Sequence, residues 1–141
     1  MRLYLDTSLL VAALTNEARA ESVTEWMDEN ARAEFVSSLW VEAEFSAALS
    51  IKVRSRSLDA AARIGALAQF RRAWVETMTP LPIDDEHFRL ATGFTDRSEL
   101  GLRAGDALHL AIASGHGAKI CTLDRRLAEA GSALGIETEQ V

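Results

Sequence analysis

The sequence predicts an α/β fold built on an open parallel sheet, and three observations carry that prediction. Two short apolar runs, Leu3-Tyr4-Leu5 and Ile120-Cys121-Thr122-Leu123, have the length of fully buried strands. Each run stops at an aspartate, Asp6 or Asp124. Each aspartate leads at once into a helical pattern. A strand with an acid at its carboxyl end and an immediate helix is the repeating unit of open α/β sheets, whose ligands bind just beyond the strand ends. If the two strands are neighbours where strand order reverses, Asp6 and Asp124 converge on one crevice. A plainer role for Asp6 is to cap the following helix.

The remaining elements follow in order. Thr7 and Ser8 offer caps ahead of the apolar Leu9 to Leu14. Ala18 to Asn30 carries Ala20, Val23, Trp26 and Met27 at helical spacing and predicts an amphipathic surface helix. Glu34 to Ser37 reads as a short strand, and Ser38 as the cap of a helix from Leu39 to about Val53. That helix contains Glu42 and Glu44, about 200° apart on a wheel of 3.6 residues per turn, so one of them at most faces a given neighbour. Glu44 has Trp40, Val41, Ala47, Ala48 and Ile51 around it, and an acid in an apolar stripe calls for a partner or a ligand. Glu44 is therefore the better candidate, with Glu42 left open. A polar link, Arg54 to Ser57, joins a second helix from about Leu58 to Glu76 with the stripe Leu67, Phe70 and Trp74, which predicts a projecting helical pair. Lys52, Arg54 and Arg56 are candidate phosphate contacts there, against a plainer reading as solvated surface charge. Thr79 to Ile83 is extended. Asp84, Asp85 and Glu86 suit a helix N-terminus better than a ligand cluster. Ala104 to Ser114 is apolar on nearly every side, a buried helix with Asp106 in its first turn. Arg125 to Leu134 forms a last helix, and Gly135 to Val141 alternates as an edge strand.

The 141 residues suffice for one domain spanning 1–141. With 48% hydrophobic and 26% charged residues and two prolines, neither disorder nor a linker is indicated. No stretch is apolar over a membrane span and the N-terminus lacks a signal-peptide core, so a cytoplasmic location is expected. Cys121 stands alone, which excludes an internal disulfide and a thiolate metal cluster. A net charge of −6 argues against a general nucleic-acid coat but not against a nuclease whose acids gather cations.

Asp6, Glu44, Asp106 and Asp124 have no basic partner nearby in sequence. Four carboxylates brought together repel unless protonated or bound to a cation. Oxygen-only donors at an open site suit Mg²⁺ or Mn²⁺ and phosphoryl chemistry, with Asp6, Asp106 and Asp124 as expected ligands. His109, one turn after Asp106, reads as a core or supporting histidine, because zinc would need further His or Cys ligands. The absence of a G-x-S-x-G elbow leaves a serine hydrolase unsupported.

Y-L-D-T-S at 4–8, S-x-x-x-x-x-E-x-x-x-A-L from Ser38 to Leu49, D-A-L-H-L-A-I-A from Asp106 to Ala113 and T-L-D at 122–124 together resemble the PIN-domain ribonucleases, specifically the VapC-type toxins of bacterial toxin-antitoxin pairs. The resemblance covers almost the whole chain. It implies a three-layer fold with a parallel sheet of order 3-2-1-4-5 and metal-dependent RNA cleavage by Asp6, Glu44, Asp106 and Asp124. Thr7, Ser8 and Thr122 match the family's hydroxyl positions and are assigned support of the acids. The resemblance further implies a homodimer and a small antitoxin whose tail blocks the site. Two other readings compete: a non-cleaving PIN-like binding module, and an Asp-dependent phosphatase, for which the D-x-D nucleophile is missing because Ser8 stands at the second acid.

Overall fold

The computed structural model describes residues 1–141. In chain order it contains β1 (Arg2–Leu5), α1 (Thr7–Leu14), α2 (Ala20–Glu29), β2 (Glu34–Ser38), α3 (Leu39–Arg54), α4 (Ala60–Thr77) and β3 (Thr79–Leu81). There follow α5 (Asp85–Asp96), a 3₁₀ turn (Ser98–Leu100), α6 (Ala104–Gly115), β4 (Lys119–Thr122), α7 (Arg125–Ala133) and β5 (Thr138–Gln140). All five strands are parallel in the order β3-β2-β1-β4-β5, with Tyr4 paired to Val36 on one side and to Ile120 on the other. Successive residues of a strand point to opposite faces, and Leu3, Tyr4 and Leu5 are all fully buried, so helices cover both faces of the sheet. Burying each of these side chains contributes about 2 kcal/mol. The reversal of strand order falls between β1 and β4, which opens the ligand crevice at their carboxyl ends.

Several helix ends differ from the sequence expectation, each because a particular side chain has found a different partner. Asp6 itself caps α1, accepting from the Ser8 and Leu9 amides, so Thr7 and Ser8 lie inside the helix. Ser38 occupies the cap position of α3 without a capping bond; its hydroxyl is drawn to the Tyr4 hydroxyl 2.8 Å away. Asp59 caps α4 through the Ala62 amide, so that helix begins after Leu58. Arg56 turns the chain between α3 and α4 in the left-handed region at φ 60°. Phe45 of α3 stacks on Phe70 of α4 at 4.3 Å, and Phe70 in turn on Trp74 at 5.5 Å. Asp84 caps α5, and Asp85 and Glu86 occupy its first turn as the dipole argument requires. The edge strand β5 is shorter than the alternation suggested, because Gly135 at φ 72° first closes the preceding helix. No helix is long and apolar enough to cross a membrane.

Candidate active site

The buried end of β1 builds the first part of the site. Asp6 is 4% exposed. Its Oδ1 accepts from the Ser8 hydroxyl at 2.6 Å and the Ser8 amide at 3.1 Å, and its Oδ2 accepts from the Thr122 hydroxyl of β4 at 2.6 Å. Burial pushes the Asp6 carboxyl above its ordinary value, against the opposing pull of His109 and of the Ser8 and Thr122 hydroxyls. Thr122 also accepts the Asp124 amide at 2.9 Å, so one buried hydroxyl ties the two strand-end aspartates together. Asp124 caps α7, its Oδ1 accepting from the Arg126 and Leu127 amides, and its side chain is exposed.

Asp106 enters from the first turn of α6 and shares a cleft of about 170 Å³ with Asp124, walled by Leu102, Arg103 and Arg126. Its carboxyl is raised, first by burial and then by the neighbouring charges of Asp124 and Glu44. Glu44 stands on α3 with Oε2 accepting from the Thr7 hydroxyl and from His109 Nε2, each at 2.6 Å. Burial works to raise its pKa, yet the bonds to His109 and Thr7 prevail and hold it below the ordinary value. Glu42 is exposed and joins none of this. The buried stripe of α3 is Val41, Phe45 and Leu49, while Ala47 and Ile51 are exposed, so Glu44 borders the core rather than sitting within an apolar face.

Thr7, Ser8 and Thr122 each donate to one of the acids. Lys52 is engaged elsewhere, paired with Glu17 at 2.6 Å, whereas Arg54 and Arg56 are exposed and outside any ion pair. His87 and His116 lie away from the acids and stack on one another at 5.0 Å between α5 and the end of α6, a contact that local sequence does not announce. Sequence reasoning also missed an apolar cavity of about 210 Å³ formed by Trp40, Phe88, Ala91, Leu108 and neighbours. Its residues are scattered over three helices, and no single periodicity marks them.

No lysine or arginine pairs with any of the four acids. Their oxygens suit a hard divalent cation in kind. Asp6 Oδ2 holds a single hydrogen bond and retains acceptor capacity, Asp124 Oδ2 accepts none, and Glu44 Oε1 takes part in neither the Thr7 nor the His109 bond. In spacing the site is looser than the crowded cluster the sequence suggested, since no three of its acidic or histidine side chains draw close enough to enclose an ion.

An open parallel α/β sheet with carboxylates gathered where its strand order reverses defines an acid-lined ligand site of the α/β class. The model of the PIN domain matches residues 3–132, and the chain belongs to that family. "Ribonuclease VapC35" of Mycobacterium tuberculosis is 29% identical over 139 residues, covering 95% of this chain and 93% of the relative. Among solved structures, VapBC2 from Rickettsia felis bound to a DNA fragment from its promoter superposes with a TM-score of 0.73 at 17% identity, covering 99% of this chain and 98% of the other. VapBC-5 from Mycobacterium tuberculosis, a member of the VapBC family of toxin-antitoxin systems, gives 0.64 at 21% identity over 99% and 98% of the two chains.

Proposed function

We propose that this protein is an endoribonuclease that hydrolyses RNA phosphodiesters with Mg²⁺ or Mn²⁺, acting as the toxin of a toxin-antitoxin pair. The observation that carries the reading is the set of four carboxylates, Asp6 and Asp124 at the ends of β1 and β4, Asp106 on α6 and Glu44 on α3, none of them in an ion pair with lysine or arginine. The ribonuclease name of the relative and the toxin-antitoxin assignment of the structural neighbours support it. Asp6, Asp106 and Asp124 would hold the cation, which when bound supplies Lewis acidity and neutralises charge on the phosphate. Ser8 and Thr122 keep the Asp6 carboxylate oriented despite its burial. Glu44, held ionised, presents Oε1 to orient the attacking water by accepting its hydrogen bond. Arg54 and Arg56 contact RNA phosphates; Lys52 does so only if it leaves Glu17. A homodimer and a small antitoxin covering the acids complete the reading.

The decisive assay is cleavage of purified RNA. Attack by water leaves 5′-phosphate and 3′-hydroxyl ends, whereas attack by the ribose 2′-hydroxyl leaves a cyclic phosphate. EDTA should abolish cleavage, Mn²⁺ should restore it, and Asp6→Ala and Asp106→Ala should be folded and inactive. Cyclic ends or full activity in EDTA overturn the assignment. The hydrogen bonds already saturating Asp6 Oδ1 favour one alternative, a binding module that no longer cleaves. Calorimetric titration with Mn²⁺ separates the two, since only the nuclease requires a bound cation.

A further inference from the structure

A single file of hydrogen bonds runs through the core to Glu44. Ser38 Oγ, at the end of β2, lies 2.8 Å from the Tyr4 hydroxyl of β1. That hydroxyl lies 3.0 Å from His109 Nδ1 on α6, and His109 Nε2 lies 2.6 Å from Glu44 Oε2 on α3. Ser38, Tyr4 and His109 are all buried. An ionised carboxylate only accepts, so the proton must stand on His109 Nε2. In the neutral tautomer that carries its proton on Nε2, Nδ1 accepts, which makes Tyr4 the donor to His109 and Ser38 the donor to Tyr4. In that tautomer every bond of the file points toward the acid at its end.

We propose that His109 is a positioning residue for Glu44, with Tyr4 and Ser38 fixing the imidazole that does the positioning; this rests on the nuclease reading above. A glutamate side chain free to rotate loses entropy each time it must adopt one reactive geometry. Here two donors from different helices, Thr7 on α1 and His109 on α6, grip the same oxygen at 2.6 Å. Oε1 takes part in neither bond, lies on the side of the Trp40 indole, and is the oxygen left for the reaction. It rests against the backbone of Gly105, where a Cβ would stand 2.8 Å from it, so a larger residue at 105 would displace the group that His109 has placed. His109 is 2% exposed, and its one hydrogen bond to an acid of the site is the bond to Glu44. Tyr4 holds the ring edge-on at 5.8 Å between centroids, so rotation of the imidazole would break contacts at both nitrogens.

The test compares wild type, His109→Leu, His109→Gln and Tyr4→Phe in RNA cleavage with Mn²⁺, each also in a Glu44→Ala background. Loss of a group that orients a reactive side chain costs about 10–100-fold, so His109→Leu should lose about that in kcat with KM for RNA nearly unchanged. His109→Gln, whose amide nitrogen can donate from the place of Nε2, should regain most of the rate. Tyr4→Phe should fall between them. In the Glu44→Ala background His109→Leu should cost nothing further, since its action passes through Glu44. Nitrogen NMR of the metal-free protein provides a readout that needs no activity: His109 should show an Nε2-bonded proton in slow exchange, lost in Glu44→Ala. Equal losses in the Leu and Gln variants, a full additive loss without Glu44, or a proton on Nδ1 alone would each overturn the proposal. A wild type with the expected NMR signature that cleaves no RNA would instead refute the nuclease reading.

Discussion

Replacing Thr122 by valine probes the joint between the two strand-end aspartates. The side chain is fully buried, donates to Asp6 Oδ2 at 2.6 Å and accepts the Asp124 amide at 2.9 Å. Valine keeps the shape and removes both bonds. A hydrogen bond to a charged group contributes about 1.5–3 kcal/mol, and the bond to the partly exposed Asp124 amide about 0.5–1.5 kcal/mol. The added methyl returns about 1 kcal/mol. The net loss is about 2 kcal/mol, which for a chain of this length lowers Tm by roughly 7 °C at about 2.1 cal/mol/K of unfolding entropy per residue. The sign of the pH dependence follows from Asp6. Its pKa is already raised by burial, and the Thr122 bond opposes that rise, so the valine variant carries a still higher value. The cost is therefore full where Asp6 is ionised and shrinks as pH falls through its raised pKa, leaving the Asp124 amide term. Urea denaturation in EDTA at neutral and at acid pH measures both numbers. A stability loss that does not change with pH would show that Thr122 acts by packing alone.

Asp106→Asn should stabilise the metal-free protein by up to about 1 kcal/mol at neutral pH, because it removes a half-buried charge facing Asp124 and Glu44. The wild-type carboxyl is raised, so its penalty appears only as pH rises through that value, and melting curves that fail to converge at acid pH refute the charge explanation. Arg54→Glu with Arg56→Glu should weaken RNA binding for all sequences and reduce the slope of log K against log salt by about 2; an unchanged slope returns both residues to the solvated surface. Cys121 is fully buried, and burial pushes its thiol up to about 12, so thiol reagents at neutral pH should label it only at the rate of unfolding. Fast labelling of folded protein contradicts that burial.

What the sequence made legible was the part governed by near neighbours. Leu3-Tyr4-Leu5 and Ile120 to Leu123 are apolar without a break because both their faces are covered, and an aspartate ending such a run stands out. Asp84 is readable as a cap for the same reason, since its partners are two and three residues away. Glu44 shows the limit. Its apolar neighbours in sequence singled it out, yet Ala47 and Ile51 face solvent. What distinguishes it from Glu42 is contact with Thr7 and His109, which come from distant helices. Ser38 fits every rule for a cap and instead serves Tyr4, a choice made by the pairing of β1 with β2. The looseness of the acid cluster was equally hidden, because sequence tells which carboxylates share a pole of the sheet but not which backbone amides they have already engaged.

The strand order also has a consequence for how the protein is born. β1 is made before the other four strands but lies in the middle of the sheet, so one of its edges is filled early by β2 and the other waits for β4. N-terminal segments begin to fold during synthesis. Until Lys119–Thr122 emerges, the nascent chain has an open edge at β1, no Thr122 to orient Asp6 and no Asp124 at all. The acid-lined end of the sheet is therefore completed only once β4 and Asp124 have been made.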